Sequence, residues 1–253
     1  MEITDKFVEP LPSATILLAR DTEDGPEVLL LLRRKEASFG SSYVFPGGVV
    51  DKTDLTLEVD IDINQRKTIN KNLDLLSGGY SYYSAAIREL FEEAGVLLAL
   101  DIDGEFPSYL DVEGYRNRLN MKEISWDKFL DDNQLSLDCS NLTYFAFWIT
   151  PLNLSPRFST RFFISAIPSN QTASHCGNEL IDSRWMSPRD ALIARRKKEI
   201  NIPYPTAVTL MQIRDFNSVK KILEWAKIKL NEGVPCYFPE LTASELKGDV
   251  SLE

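Results

Sequence analysis

Short apolar runs in both halves of the chain predict the strands of a β-sheet. Runs from Ala14 to Ala19 and from Val28 to Arg33 flank the turn residues Asp24-Gly25-Pro26, a pattern that predicts a hairpin. Two further runs, from Leu142 to Ile149 and from Arg161 to Ile167, have the same strand-like composition. We therefore expect sheet strands that lie far apart in the sequence.

Between these strands, the segment from about Tyr82 has the spacing of an amphipathic helix. One face carries apolar residues, namely Ile87, Leu90, Phe91 and Ala94. The opposite face carries Glu89, Glu92 and Glu93, because residues three and four positions apart lie on the same side of a helix. Gly95 is a natural C-terminal stop for this helix.

Three other regions complete the predicted arrangement. The polar stretch from about Lys52 to Gly79 is expected to be a loop with a short helix, and Pro107 to Asp138 a second helical insertion. Amphipathic C-terminal helices are predicted from Thr206 to Phe216 and from Val219 to Leu230. With 253 residues and 43% hydrophobic content, the chain is expected to form a single domain with large insertions.

The acidic face of the predicted central helix is unfavourable on its own. Glu89 and Glu93 are like charges four positions apart, a pairing that costs about 0.2–0.5 kcal/mol. Glu92 and Glu93 also lie in the last turn, at the negative end of the helix dipole. Only Arg88, four positions before Glu92, offers a local compensating charge. A hard cation such as Mg²⁺ would supply the missing charge, whereas the simplest alternative is a solvated glutamate surface.

The residues around this helix resemble the signature of the Nudix hydrolase superfamily. In that signature a Gly-Gly turn leads to a helix with the pattern R-E-hydrophobic-x-E-E-x-G-hydrophobic. Here Arg88 to Val96 matches at every specified position, and Phe45-Pro46-Gly47-Gly48 matches the turn. The usual fourteen positions from the second glycine to the arginine are forty here. The glutamate expected eight residues before the arginine is replaced by Tyr80.

The interrupted signature resembles one branch of the superfamily, typified by the mammalian peroxisomal coenzyme A diphosphatase. Leu29 to Arg34 and Phe39 to Gly48 look like that branch's strand and the loop before the turn. Trp148 to Pro151 and Pro156 to Phe163 look like its W-x-T-P and P-R-R-F-D-T-x-F-F segments, although one arginine is missing and Ser159 replaces an aspartate. Each doubling of loop length costs only about 0.6 kcal/mol, so the two halves of the signature can still meet in space.

The resemblance implies an α/β fold, the Nudix α/β/α sandwich with a mixed sheet between helices. It also implies hydrolysis of a diphosphate bond with Mg²⁺ or Mn²⁺ as cofactor. The first metal ligands would be Glu92, Glu93 and the carbonyl oxygen of Gly47, with Glu89 as a further ligand. Glycine at position 47 would let the backbone approach the metal closely. Structural support is expected from Gly48, Arg88 and Gly95.

A fourth carboxylate, Glu179, stands six residues before Trp185, the spacing at which MutT-like proteins have a metal-binding glutamate. The resemblance therefore implies that Glu179 is a further ligand, and that Glu89 or Glu179 accepts the proton of the attacking water. Glu93 is expected to be indispensable for turnover. The alternative for Glu179 is a surface glutamate beside a turn. The single histidine, His175, is interpreted as a loop residue, because no G-x-S-x-G motif accompanies it.

Arginines that could hold the substrate's phosphates are Arg34, Arg157 and Arg161, since a guanidinium can engage phosphate oxygens bidentately. Strand alternation could equally place any of them on a solvated face. The resemblance favours coenzyme A or acyl-CoA, cleaved to 3',5'-ADP and phosphopantetheine. ADP-ribose, NADH and capped nucleotides are the enzymatic alternatives. A Nudix-fold sensor that binds a nucleotide without cleaving it is a further alternative, and the Tyr80 substitution is the sequence feature that favours it.

Composition limits the partners and the compartment. The net charge of −10 makes nucleic acid a poor partner, and no apolar stretch approaches the length of a membrane span. The basic run from Arg195 to Lys198 is interpreted as a helix end. Cys139, Cys176 and Cys236 are widely spaced and odd in number, which favours free thiols in a reducing compartment. A cytoplasmic or nuclear location is expected, with no peroxisomal signal in the terminal Ser251-Leu252-Glu253, and the resemblance is also compatible with a homodimer.

Overall fold

The computed structural model describes residues 2–3, 8–33, 41–57, 61–174 and 180–240. Arg34, His175, Cys176 and Glu179 lie outside the described residues. The predictions made for Arg34, His175 and Glu179 therefore stay predictions.

The described residues form twelve strands and eight α-helices. The strands are β1 (Glu2–Ile3), β2 (Leu11–Thr22), β3 (Gly25–Arg33), β4 (Tyr43–Val44), β5 (Gly47–Val49), β6 (Ala99–Leu100), β7 (Ser136–Leu137), β8 (Thr143–Ile149), β9 (Leu154–Ser155), β10 (Phe158–Ala166), β11 (Leu180–Met186) and β12 (Cys236–Tyr237). The helices are α1 (Lys52–Thr56), α2 (Ile63–Asn72), α3 (Gly79–Ala94), α4 (Val112–Asn120), α5 (Trp126–Asp132), α6 (Pro188–Arg196), α7 (Tyr204–Ile213) and α8 (Val219–Glu232). A short 3₁₀ helix spans Cys139–Asn141. The four predicted strands and the three predicted long helices are present.

The main sheet is mixed, as expected from the resemblance. Its strand order is β11-β3-β2-β10-β8-β12, with β4 paired to β3 and β5 paired to β2. β2 and β3 form the predicted antiparallel hairpin. β10 runs parallel to β2 on its other side and antiparallel to β8. The centre of the sheet therefore joins segments that are more than a hundred residues apart.

Helices cover both faces of this sheet. Along β2, Ile16 and Leu18 belong to an apolar cluster shared with α3, whereas Leu17 and Ala19 belong to a second cluster shared with α7 and α8. This division follows from the alternation of side chains along a strand. The predicted α/β/α sandwich is confirmed.

The two predicted insertions are more regular than their sequences indicated. The stretch 52–79 contains α1 and α2, where a loop with one short helix was expected. α3 begins at Gly79 and not at about Tyr82, because the side-chain oxygen of Asn70 on α2 accepts a hydrogen bond from the Gly79 N–H at 2.8 Å. The stretch 107–138 contains α4 and α5, and its final strand β7 pairs with β6.

The second insertion covers the apolar face of α3. The rings of Phe91 on α3 and Phe129 on α5 stack with centroids 5.3 Å apart, and Trp126 stands 5.4 Å from Phe129. All three side chains are almost completely buried. No helix in the described part of the chain is long and apolar enough to cross a membrane.

Candidate active site

The Gly47-Gly48 turn lies on β5, against the central strand β2. Gly47 pairs with Thr15 and Gly48 pairs with Ala14. A Cβ atom on Gly47 would stand 2.3 Å from Thr15 Oγ1 and 2.5 Å from the Ala14 carbonyl oxygen. Such distances are sterically impossible, so only glycine lets β5 approach β2 this closely.

The two halves of the interrupted motif meet in space. Glu93 is 6% exposed and its Oε2 accepts a hydrogen bond from the Gly47 N–H at 2.9 Å. The Glu89 carboxylate lies against Gly48, where a Cβ atom would stand 2.2 Å from Glu89 Oε1. Forty residues separate the turn from Arg88, yet the α3 carboxylates reach it because α3 packs directly on β2 and β5.

Arg88 binds carboxylates on both of its sides. Its Nη1 donates to Glu89 Oε1 at 2.8 Å and to Glu92 Oε2 at 3.4 Å. Its Nη2 donates to Asp54 Oδ2 at 3.0 Å and to the Val49 carbonyl oxygen at 2.9 Å. The guanidinium therefore links the α3 carboxylates to the segment that follows the Gly-Gly turn.

Asp54 is a site residue that the sequence reasoning missed. It lies on α1, is fully buried, and also accepts hydrogen bonds from Ser84 Oγ at 2.7 Å and from the Asp51 N–H at 2.8 Å. A spacing signal was available in the sequence. In the usual signature the arginine follows the second glycine by fourteen positions and the glutamate precedes the arginine by eight, so the glutamate stands six positions after the second glycine. Counted forward from Gly48, that position is Asp54. The inserted residues lie between Asp54 and Arg88. The prediction that Tyr80 replaces the signature glutamate was therefore wrong, because it counted eight positions back from Arg88 and ignored the insertion.

Arg33 is a second residue that was missed. It ends β3, and its Nη2 donates to the carbonyl oxygen of Gly47 at 2.5 Å and to Glu93 Oε1 at 3.3 Å. A positively charged group therefore contacts two of the predicted metal ligands. Its neighbour Arg34, which the sequence favoured, is outside the described residues.

Burial disfavours the charged forms of two of the α3 carboxylates. Burial and then the nearby Glu89 carboxylate raise the pKa of Glu92 to about 7. Burial also raises the pKa of Glu89, although Arg88 opposes this effect. Since a raised carboxyl pKa means that the charged form is disfavoured, these two groups gain from an additional cation.

The donor set fits a divalent metal ion. Asp54, Glu89, Glu92 and Glu93 contribute four carboxylates, and the guanidinium groups of Arg33 and Arg88 offset two of these charges, so that a surplus equal to one divalent cation remains. Carboxylate and carbonyl oxygens are the donors that Mg²⁺ and Mn²⁺ prefer. Within the described residues, however, no three acidic, histidine or cysteine side chains already form a metal-binding group.

The two predicted phosphate-binding arginines that the structure describes lie in different surroundings. Arg157 is 3% exposed, and its Nε donates to the Thr150 carbonyl oxygen at 3.1 Å. The Arg161 guanidinium lies 4.1 Å from the ring centroid of Tyr82 and 4.7 Å from that of Phe147. Its Nε is buried without a hydrogen-bond partner among the described residues. Neither contact pattern tests the predicted phosphate binding.

Comparisons with known proteins identify the family of this chain. The family model described as NUDT19 Nudix domain matches residues 63–213, a range that contains α3. Putative nudix hydrolase 7 of Caenorhabditis elegans is 28% identical over 218 residues, which cover 83% of this chain and 63% of the relative. Acyl-coenzyme A diphosphatase NUDT19 of Xenopus laevis is 23% identical, and the match covers 87% of this chain and 68% of the relative.

A solved structure shares the fold. The crystal structure of a NUDIX hydrolase from Alicyclobacillus acidocaldarius superposes with a TM-score of 0.72 at 22% identity, covering 86% of this chain and 96% of that one. The chain spans about two thirds of the length of the curated relatives, from 63% to 68% for the two named above. Because the family model matches more than half of the residues, the protein belongs to the NUDT19 Nudix domain family of Nudix hydrolases.

Proposed function

We propose that this protein is a metal-dependent diphosphatase that cleaves coenzyme A or acyl-CoA to 3',5'-ADP and (acyl-)phosphopantetheine. The observation that carries the proposal is the convergence of the α3 carboxylates on the Gly47-Gly48 turn with an excess of negative charge. Glu93 bonds the Gly47 N–H, and Glu89 lies against Gly48. The substrate class is supported by the family match and by the acyl-coenzyme A diphosphatases among the relatives.

The proposed roles follow from the placement of the described groups and, for Glu179, from the resemblance to the Nudix signature alone. The Gly47 carbonyl, Glu89, Glu92 and Glu93 would hold the metal ion, with Glu179 as a further ligand. When bound, Mg²⁺ or Mn²⁺ supplies charge neutralisation for the diphosphate and acidifies a coordinated water. Either Glu89 or Glu179 takes the proton of the attacking water. Arg88 holds the Glu89 and Glu92 carboxylates through charge-assisted hydrogen bonds.

Asp54 weakens the case for a sensor that binds without cleaving. That case rested on the lost glutamate at Tyr80, but a buried acid bonded to Arg88 stands at the equivalent spacing from Gly48. ADP-ribose, NADH and capped nucleotides remain the alternative substrates of the same chemistry. We further propose a cytoplasmic or nuclear location, supported by the free thiols of Cys139 and Cys236. We also propose that the protein forms a homodimer, which sedimentation velocity would test.

The test is a Mg²⁺- and Mn²⁺-dependent screen against CoA, acetyl-CoA, ADP-ribose, NADH and capped dinucleotides, with products resolved by mass. We expect release of 3',5'-ADP from the CoA species. Glu93→Gln should abolish turnover while the fold is kept, and the exposed Glu123→Gln is the matched control. Cleavage of only another substrate would overturn the CoA assignment. Nucleotide binding without any cleavage would overturn the enzymatic one.

A further inference from the structure

The C-terminal end of α3 has a complete set of hydrogen-bond partners. The last four carbonyl groups of a helix have no partner within the helix and need donors from elsewhere. Here the Phe91 carbonyl oxygen accepts from the Gly95 N–H at 2.9 Å, and the Ala94 carbonyl oxygen accepts from the Ser174 N–H at 2.9 Å. The two carbonyls between them belong to Glu92 and Glu93, whose side chains are predicted metal ligands.

Arg116, on α4 of the second insertion, supplies the donors for these two carbonyls. Its Nε donates to the Glu92 carbonyl oxygen at 3.0 Å, and its Nη2 donates to the Glu93 carbonyl oxygen at 2.6 Å. Asn120, one turn further along α4, donates from Nδ2 to the Glu92 carbonyl oxygen at 3.2 Å. The backbone of the ligand-bearing turn is therefore fixed from outside α3.

The Arg116 site is fully built. The residue is 2% exposed, and its remaining donors bond the Ser174 carbonyl oxygen at 2.6 Å, Ser174 Oγ at 3.2 Å and Glu113 Oε1 at 3.3 Å. All five N–H donors of the guanidinium thus have acceptors. A Cβ atom on Gly95 would stand 3.2 Å from Arg116 Nη1, so the absence of a side chain at this position gives the guanidinium its space.

We propose that Arg116 is a positioning residue that sets the orientation of the Glu92 and Glu93 carboxylates by fixing the backbone of the last turn of α3. This inference rests on the proposed function, because it concerns the carboxylates that would hold the metal. Helix ends fray when their carbonyls lack partners. The Cα–Cβ bond follows the backbone, so a loosened last turn misdirects both carboxylates at once.

The geometry separates this role from general support of the fold. α3 is also held by the burial of Leu90 and Phe91, both 0% exposed. Glu89, one turn before Glu93, is held by Arg88 at 2.8 Å, whereas the described bonds from Arg116 to α3 go to the carbonyl oxygens of Glu92 and Glu93. Loss of Arg116 therefore frees the ligand-bearing turn and leaves the rest of α3 packed. On this view, the second insertion contributes to the active site through the backbone and without touching the substrate.

The experiment compares Arg116→Met with Arg118→Met, an exposed arginine on the same helix. Mn²⁺ binding is measured without substrate by electron paramagnetic resonance, and kcat and KM are measured with Mg²⁺ and CoA. We expect Arg116→Met to weaken Mn²⁺ binding and to lower kcat by about 10- to 100-fold each, as for other groups that orient metal ligands. Arg118→Met should behave like wild type in both measurements.

A milder variant, Arg116→Lys, tests the positioning role if Arg116→Met fails to fold. Arg116→Lys, which retains the charge but can reach fewer acceptors, should bind Mn²⁺ with intermediate affinity. Equal Mn²⁺ affinity and kcat in wild type and Arg116→Lys, or in a folded Arg116→Met, would overturn the positioning role. A wild type that binds Mn²⁺ but cleaves none of the nucleotides would overturn the proposed function, while the Mn²⁺ affinities of the variants would still decide the role of Arg116.

Discussion

Two segments outside α3 support this helix in different ways. The first, which directly follows the Gly-Gly turn, brings Asp54 to the middle of α3, where it forms a buried ion pair with Arg88 at 3.0 Å. The second brings Arg116 to the end of α3, where it bonds the backbone carbonyls of Glu92 and Glu93. One contact depends on opposite side-chain charges, and the other depends on unsatisfied main-chain acceptors. The centre of α3 is thus fixed by an ion pair, and its end is fixed by hydrogen bonds to backbone carbonyls that have no partner within the helix.

Removal of the buried acid Asp54 should have the largest effect on stability. Asp54→Ala takes away one of the three carboxylates that bond Arg88 and also the acceptor of Ser84 Oγ, and breaking one side of a buried ion pair costs about 3–5 kcal/mol. Urea denaturation measures the loss. Asp132→Ala, which breaks the exposed pair with Lys128, is the control and should cost below about 1 kcal/mol. Equal costs for the two variants would mean that Asp54 is not the anchor of Arg88.

The charge-based contacts should also make stability depend on pH in the metal-free protein. The pKa of Glu92 is about 7 in the folded state against an ordinary value of 4.5. A raised folded-state pKa stabilises the protein at low pH, and this stabilisation is lost as the pH rises from 4.5 through 7. Between about pH 5 and pH 8 we expect wild type to lose on the order of 2 kcal/mol relative to Glu92→Gln.

This pH dependence is measured by urea denaturation in the presence of EDTA. Asn120→Ala, which alters only a backbone contact, should retain the pH dependence of the wild type. Mg²⁺ should restore more stability at pH 8 than at pH 5, because it binds the charged carboxylates. A free energy of unfolding that changes equally with pH in wild type and Glu92→Gln would refute the raised pKa of Glu92.

A third change tests the space around Arg116. Gly95 ends α3 in the left-handed conformation with φ of +70°, which costs a residue with a side chain about 1–2 kcal/mol. Gly95→Ala should destabilise the protein by at least this amount, since the new Cβ atom also crowds Arg116 Nη1. Gly104→Ala is the control, because it has a similar φ of +78° and open space around it. Chemical denaturation measures the free energy of unfolding of both variants. A larger decrease for Gly95→Ala than for Gly104→Ala would show the cost of crowding Arg116, and equal decreases would contradict it.

The smallest expected effect belongs to Asn120→Ala. This change removes one of two donors to the Glu92 carbonyl oxygen, and Arg116 remains to satisfy it. We expect a loss of about 0.5–1.5 kcal/mol, measured by the same denaturation. A decrease in stability as large as that of Asp54→Ala would mean that the backbone hydrogen bonds at the end of α3 matter as much as the buried ion pair at its centre.

Local pattern was sufficient to predict α3, the β2–β3 hairpin and the apolar strands of the sheet. The strands are continuous apolar runs that are buried in the structure, and α3 has helical periodicity over many residues. The start of α3 was predicted too late, because the cap that fixes it comes from Asn70, on another helix. The order of strands in the sheet was not predicted, since it depends on pairings such as β2 with β10 that no local pattern encodes.

The candidate site divides in the same way. The sequence alone determined which residues carry oxygen donors, because Glu89, Glu92 and Glu93 must share one face of any helix that contains them. Only the tertiary structure placed Asp54 against Arg88, Arg33 against the Gly47 carbonyl, and Arg116 on the end of α3. Each of these contacts joins residues more than ten positions apart. Helical periodicity fixes neighbours within one or two turns, whereas partners at longer range are chosen by how the helices and the sheet pack together.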